Sequence, residues 1–168
     1  AGGVIVWMGN EPFANTANTS LIEYNGRSKP AYYAVSKTYS HLNVSCKYSS
    51  ICYKQGNEFS GEVYIHSEEK IEGPVRVLCE IKDVKGKILK RKIIEVSTIG
   101  IPVQKVGDIR WTIEGLSNHI FFLKLDLISN EAILAENIYF YTIDIKNPFK
   151  PFRMMDKAIL DCSIFSED

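Results

Sequence analysis

The chain has 168 residues, of which 45% are hydrophobic and 24% are charged, proportions that are ordinary for a globular protein. Twenty Lys and Arg balance twenty Asp and Glu, so no nucleic acid and no anionic membrane is expected as a partner. No apolar run approaches the roughly 18 residues that a membrane-spanning helix needs. The length suits one well-buried domain with an appendage.

Residues 1–42 are expected to form one β/α unit. Val4 to Met8 is an apolar run flanked by glycines, which predicts a strand buried on both faces. The polar stretch 9–28 predicts a loop. Ser28 then offers a helix N-cap, and Pro30 suits the first helical turn. The apolar side chains expected on one stripe of the helix are Ala31, Val35, Tyr39 and Leu42.

Residues 43–143 change to a period of two, which is typical of half-buried strands. The clearest segment is residues 75–81, in which Val75, Val77, Cys79 and Ile81 alternate with polar or outward positions. Similar segments lie at residues 62–66, 87–96, 108–113, 121–127 and 132–142. Six or seven short strands with glycine-bearing turns and almost no helix predict an antiparallel sandwich.

The cysteines and histidines predict neither a disulfide nor a metal site. Cys46 and Cys52 are expected in one strand, where six residues span roughly 20 Å, too far for a disulfide. Cys79 is expected to be buried as an apolar side chain. No two cysteines or histidines have the spacing of zinc ligands, so the expected metals and cofactors are none.

The last region, residues 147–168, begins with the Pro-rich connector Asn147 to Pro151. Lys157 to Ser163 then alternates like a strand. It is either the first strand of a further, truncated domain or an addition to the edge of the sandwich.

Two stretches of the first region resemble the end of the catalytic barrel of glycoside hydrolase family 2. They read Gly-Val-Ile-Val-Trp-Met-Gly-Asn-Glu at residues 3–11 and Thr-Ser-Leu-Ile-Glu-Tyr-Asn-Gly-Arg-Ser-Lys-Pro-Ala-Tyr-Tyr at residues 19–33. In that family the eighth strand ends in a hydrophobic run and a Trp, a loop ends in Ser-x-Ile-Asp-Tyr-x-Gly, and Lys-Pro with an aromatic pair opens the eighth helix. The order and spacing are most similar to the β-mannosidase-like branch. Glu23 stands where Asp is usual, and Asn10-Glu11-Pro12 departs from the usual Asn-Asp-aromatic-Pro.

The resemblance implies a mainly β fold, an immunoglobulin-like antiparallel β-sandwich preceded by one β/α unit from the end of a TIM barrel. The expected division is residues 1–42 for the barrel end, 43–146 for the sandwich, and 147–168 for a linker and the first strand of a truncated domain. The connector at residues 148–152 also resembles the junction between sandwiches in that branch.

The resemblance further implies that the parent protein is a retaining exo-glycosidase acting on β-linked sugars, in which two glutamates about 5–5.5 Å apart act as acid/base and nucleophile. Those glutamates belong to earlier barrel strands, so this chain is expected to have no catalytic residue and to be inactive by itself. A periplasmic or secreted parent is slightly favoured over a cytoplasmic one.

Three residues are expected to serve substrate binding in the intact enzyme. Trp7, at the end of a barrel strand, suits a platform on which a sugar ring stacks, although it also fits a buried core position. Asn10 suits a hydrogen bond to substrate or a role in shaping the loop. Glu11 follows an Asn, as the family's acid/base glutamate does, but the segment after it belongs to the last barrel unit. A supporting or loop-capping role is therefore expected for Glu11.

The competing hypothesis is a free-standing immunoglobulin-like module that binds carbohydrate or protein, with Trp111 and the cluster Tyr139, Phe140 and Tyr141 as an aromatic face. The barrel-type segment at residues 7–33 argues against it, since a free module has no use for one.

The basic run at residues 87–92 predicts a protected edge strand. The expected partners are a β-linked glycoside and the rest of the barrel. Because residues 4–8 would have open strand edges, they are expected either to pack on the sandwich or to self-associate.

Overall fold

The computed structural model describes residues 5–6, 8–14, 19–100, 102–116, 119–143, 146–147, 150–153 and 155. A helix, α1 (Pro30–Thr38), comes first in the chain, and a short helix, α2 (Lys150–Arg153), comes last. The described residues between them form seven strands: β1 (Leu42–Tyr48), β2 (Glu58–Ser67), β3 (Ile71–Asp83), β4 (Ile88–Ile99), β5 (Val103–Thr112), β6 (Ile120–Ser129) and β7 (Ala132–Thr142). Neither helix has the length and apolar character that crossing a membrane requires, as far as the described residues go.

The strands form two antiparallel sheets packed face to face. One has three strands in the order β1-β2-β5, and the other has four in the order β4-β3-β6-β7. The chain changes sheets between β2 and β3, between β4 and β5, and again between β5 and β6. This arrangement is an immunoglobulin-like sandwich, so the predicted mainly β fold class is confirmed.

The core lies between the two sheets and follows the alternation of the sequence. Val77, Cys79 and Ile81 of β3 are fully buried, as the period-two pattern predicts. Phe59, Phe121 and Tyr141 meet in the middle, with ring centroids 4.8–5.6 Å apart. Burying one such aromatic side chain stabilises a fold by about 1.5–3 kcal/mol, so this cluster joins the two sheets strongly.

The basic segment predicted as an edge strand is β4, which lies at the edge of the four-stranded sheet. Lys90 and Lys92 pair opposite Ile81 and Cys79, so they stand on the inward side of that edge. The Lys92 ammonium donates to the backbone carbonyl of Asp108 at 2.5 Å, across the opening between the sheets. Inward-pointing lysines on an edge strand oppose edge-to-edge pairing with another chain, and the predicted edge role is confirmed.

Two local predictions about the helix are wrong. The N-cap residue of α1 is Lys29, which caps with no side-chain hydrogen bond, because Ser28 forms a strand-like bridge with Ile22 instead. No residue of α1 is buried, and only Val35 is half-buried. The predicted stripe therefore has no core to face within the described residues. Its last member, Leu42, lies in β1.

Two further expectations differ from the structure. Cys46 lies in β1, but Cys52 lies beyond that strand and bridges Thr142, so the two cysteines do not share a strand. Residues 5, 6 and 8 are not part of a strand, and Ile5 is 93% exposed, so Ile5 does not pack on the sandwich. A strand needs hydrogen-bonded neighbours on its edges, and none of the described residues supplies them to this segment. Self-association through residues 4–8 stays a prediction.

Candidate functional site

Asn10 and Glu11 lie in a compact segment that we call the Glu11 loop, residues 8–29, of which 15–18 are outside the described set. Met8 opens it with a φ of 67°, a left-handed conformation that turns the chain at Gly9. Backbone hydrogen bonds tie its two halves together. They run from the amides of Leu21 and Ile22 to Gly9 O (3.2 and 3.0 Å), from Glu11 to Ile22 O (3.0 Å), and from Lys29 to Leu21 O (2.9 Å).

The carboxylate of Glu11 is buried at the centre of this loop, with its side chain 1% exposed. The Lys29 ammonium donates to Glu11 Oε1, and the Ser20 hydroxyl donates to the same oxygen at 3.1 Å. Lys29 Nζ also lies 3.2 Å from Ser20 Oγ, which closes a three-residue cluster. A buried carboxylate needs such a cation and hydrogen-bond donors to remain charged, so the cluster holds the loop in one conformation.

The electrostatics of Glu11 are opposite to those of a catalytic acid. The hydrogen bond from Lys29 lowers the pKa of the Glu11 carboxyl, although burial acts in the other direction, and the Ser20 hydroxyl adds to the lowering. A glycosidase acid needs a raised pKa in order to hold a proton at neutral pH. Glu11 is therefore ionised and engaged with its neighbours, which suits a residue that shapes the loop.

The other two predicted site residues have different outcomes. Asn10 is exposed, and its bridge to Ile22 places it on the surface of the Glu11 loop, directly before the buried Glu11. Trp7 lies outside the described residues, so its role stays a prediction. Sequence reasoning missed Ser20 and Lys29. Both belong to the stretch that carries the family resemblance. They could have been sought on the ground that a buried glutamate needs a nearby cation and hydrogen-bond donors.

The aromatic residues of the sandwich do not form one exposed face. Tyr141 is fully buried, and the hydroxyl of Tyr139 accepts from the backbone amide of Cys46 at 3.0 Å, so both point inward. Only Phe140 of the three is exposed, at 42%. Trp111 is half-buried edge-on against Phe121, with centroids 5.2 Å apart. The proposed aromatic binding face is wrong because successive residues of a strand point to opposite sides.

Trp111 also lines an open groove of about 350 Å³ at the end of β5. Charged side chains of both signs share its wall: Glu58, Lys90, Arg110 and Glu114. Arg110 and Glu58 lie 4.0 Å apart. The groove therefore offers no single-sign field for a charged ligand.

Two histidines and two cysteines of the described residues have ordinary structural surroundings. His41 pairs with Glu68, which raises the pKa of His41, and His66 shares a hydrogen bond of 2.7 Å with Ser45. Burial raises the pKa of both Cys46 and Cys79 to about 12, and both are free thiols. No group of three or more metal-binding side chains gathers within the described ranges.

Comparison with known proteins gives structural likeness alone. No protein-family model matches the chain, and no curated protein matches its sequence. An exo-chitosanase from Amycolatopsis orientalis matches 84% of this chain and 16% of its own, with 19% identity and a TM-score of 0.63. A β-D-mannosidase from Dictyoglomus thermophilum matches 86% of this chain and 16% of its own, with 21% identity and a TM-score of 0.56.

A glycosyl hydrolase family 2 member from Bacteroides cellulosilyticus matches 62% of this chain and 16% of its own, with 15% identity. Its TM-score of 0.49 is too low to carry an argument. The chain spans about a sixth of the length of the solved chains that it matches. The likenesses to the exo-chitosanase and the β-D-mannosidase show that the chain has a fold found within those two proteins, and at such identities they show the fold alone.

Proposed function

We propose that this chain is a non-catalytic C-terminal portion of a retaining exo-glycosidase of the β-mannosidase-like branch, acting on β-linked sugars. Residues 1–42 are the last strand and helix of its barrel, residues 43–146 are a sandwich that braces the barrel, and residues 147–168 lead into a further domain. The catalytic glutamates lie on barrel strands outside this chain.

The observation that carries the proposal is the extent of the structural likeness. The sandwich from β1 to β7 occupies about three fifths of the chain. The likeness to the exo-chitosanase and the β-D-mannosidase extends over 84% and 86% of the chain, so it includes residues outside the sandwich. A free-standing immunoglobulin-like module would be expected to match over the sandwich alone. The wider match therefore favours a unit that belongs to a larger hydrolase.

The geometry of the Glu11 loop supports the roles given to its residues. Glu11, held by Lys29 and Ser20, fixes the loop from inside and does not donate a proton. Asn10, on the surface of that loop, is placed to hydrogen-bond a sugar hydroxyl. Trp7 supplies the stacking platform at the strand end. In the intact enzyme these three residues would form part of one wall of the substrate site, because the loops after barrel strands surround the active site.

The test is hydrolysis of nitrophenyl β-mannoside, β-galactoside, β-glucoside and β-glucuronide by this chain and by the full-length protein read from its gene. Turnover by the full-length protein only is expected, with retention of anomeric configuration in the product, which nuclear magnetic resonance can follow. The variant Asn10→Ala in the full-length protein should raise KM more than a matched Asn57→Ala variant, since Asn57 lies in a turn of the sandwich.

Either of two results would overturn the proposal. Turnover by the 168-residue chain itself would mean that it holds its own catalytic groups, and Glu11→Gln would then show whether Glu11 is one of them. A full-length protein that hydrolyses none of the four glycosides would remove the proposed activity.

A further inference from the structure

The two outer faces of the sandwich have different chemistry. The outer face of the three-stranded sheet is polar and joined by hydrogen bonds. The Tyr64 hydroxyl donates to Glu62 at 2.7 Å, and Lys105 reaches both Glu62 (3.0 Å) and Asp108 (2.9 Å). His66 and Ser45 continue the same face. A face of this composition is typical of a sheet that meets water.

The outer face of the four-stranded sheet carries two groups of apolar side chains along β6 and β7, with the opposed pair Asp126 and Glu136 between them. We define the β6–β7 patch as Phe122, Ile128, Ile133, Ile138 and Phe140. Phe122 stands opposite Phe140 and Ile128 opposite Ile133 in the strand register. Ile133 and Ile138 are 55% and 60% exposed. Apolar patches of this kind, bordered by polar residues, mark interaction surfaces on globular proteins.

The carboxylates beside the patch and between its two halves already pair with cations. Glu80 and Asp126 are each 5% exposed although they point away from the core, because cationic side chains cover them. The pairs are Glu80 with Arg91 and Lys82 (both 2.6 Å), Asp126 with Lys124 (3.0 Å), and Glu136 with Lys37 (2.9 Å). Because these charges are neutralised inside the chain, a body that covers the face needs apolar groups rather than opposite charges.

Helix α1 borders this patch. Its Lys37 reaches Glu136 of β7, and its carbonyl accepts from the Asn43 side chain at 2.8 Å, so the end of the helix is fixed to the sandwich. Tyr33 precedes Lys37 by one helical turn and is 61% exposed. A body that packed around α1, which has no buried residue of its own, would therefore lie next to the β6–β7 patch.

We infer that the β6–β7 patch is the surface through which the sandwich docks on the catalytic barrel, and that its occupant is the part of the same polypeptide that packs around α1. This inference rests on the proposed function. Three observations select this face: its apolar surface, its neutralised charges and the fixed position of α1 beside it. The polar face of the three-stranded sheet stays in water.

The first test is photo-cross-linking in the full-length protein. Benzoyl-phenylalanine replaces Phe140 in one variant and, as the matched aromatic control on the other outer face, Tyr64 in a second. Cross-links from position 140 to peptides that precede residue 1 are expected, with none from position 64. Cross-links from position 64, cross-links from position 140 to a second copy, or no cross-link at position 140 would each overturn the inference.

The second test uses thermal unfolding of the same protein. Ile138→Glu is expected to split one cooperative transition into two, because a charge at the docking surface uncouples sandwich and barrel. Val103→Glu, at a 50% exposed position on β5, should leave a single transition. The isolated 168-residue chain should unfold at the same midpoint with and without Ile138→Glu, which shows that the sandwich still folds.

The two tests separate the failure of the inference from that of the proposed function. If the full-length protein hydrolyses a glycoside but Ile138→Glu leaves one transition, the docking surface is wrong and the function stands. If it hydrolyses none of the glycosides, the proposed function fails whatever the cross-links show.

Discussion

Gly61 in β2 has no room for an added methyl group, so a side chain at this position should lower the stability of the fold. A Cβ at this residue would lie 2.5 Å from the Cys46 sulfur, 3.4 Å from Phe59 Cζ and 3.6 Å from Ile109 Cγ2. Non-bonded heavy atoms normally approach to about 3.5–4.0 Å, so the sulfur would have to move by roughly 1 Å. Cys46 is short and buried, so it cannot swing away into solvent. We expect Gly61→Ala to lower the free energy of unfolding by about 1–3 kcal/mol.

A double-mutant cycle with Cys46→Ala tests the cause of that loss. Cys46→Ala alone should cost about 1 kcal/mol, because it removes one buried sulfur of methylene size. In the double variant the new methyl group occupies the space that the sulfur leaves. The two losses should therefore fall short of additivity by about 0.5–3 kcal/mol.

Urea unfolding of the 168-residue chain, followed by circular dichroism with unchanged m values, measures each corner of the cycle. Gly100→Ala is the matched control, because its Cβ would meet only Gln104 Oε1, at an ordinary 3.5 Å. It should change stability by less than about 0.5 kcal/mol. The reasoning is refuted if Gly61→Ala is as mild as Gly100→Ala, or if the cycle is additive.

Three further predictions concern buried polar groups. Glu11→Gln should speed amide hydrogen exchange throughout the Glu11 loop and leave exchange in the sandwich unchanged. In the unmodified chain the pKa of Glu11 is lowered, so protection of the loop should be complete above the ordinary carboxyl pKa and should disappear only as the pH falls through the lowered value. Burial raises the pKa values of Cys46 and Cys79 to about 12, so both thiols should resist iodoacetamide at pH 8 in the native state and react only after unfolding. Mass spectrometry of the peptides measures the labelling, and native labelling of either cysteine would contradict its burial. Tyr141→Phe should leave stability unchanged or raise it, because its buried hydroxyl has no hydrogen-bond partner among the residues that the structure describes, whereas Tyr139→Phe should lose about 1 kcal/mol or more with the bond from Cys46. Equal effects of the two substitutions in urea unfolding would reject this distinction.

The sandwich could be predicted from the sequence because its signal is local. The alternation of Val75, Val77, Cys79 and Ile81 follows directly from the period of a strand with one buried face, and the structure buries all four. The pairing of strands into two sheets could not be predicted in the same way. It depends on contacts between distant residues, such as Phe59 with Tyr141, and no local pattern encodes them.

The helix and the candidate site show where local reasoning fails. The stripe of α1 predicts a buried face, yet burial also needs a surface to pack against, and the described residues provide none. Glu11 drew attention because it follows Asn10. Its partners Ser20 and Lys29, 9 and 18 residues further on, meet it only after the loop has closed. The sequence therefore singled out Glu11 but did not predict the cluster that keeps its carboxylate ionised.

The contacts within the Glu11 loop join residues that are close in sequence, and this has a consequence for the order of folding. The contact between Glu11 and Lys29 closes 18 residues, whereas the bond from the Cys46 amide to the Tyr139 hydroxyl joins residues 93 positions apart. Loop closure costs more entropy as the closed segment lengthens, so the Glu11 loop can form while the strands are still unpaired. On the ribosome, residues 8–29 also emerge before β7. A wall of the proposed sugar site could thus be shaped during synthesis, before the sandwich that supports it is complete.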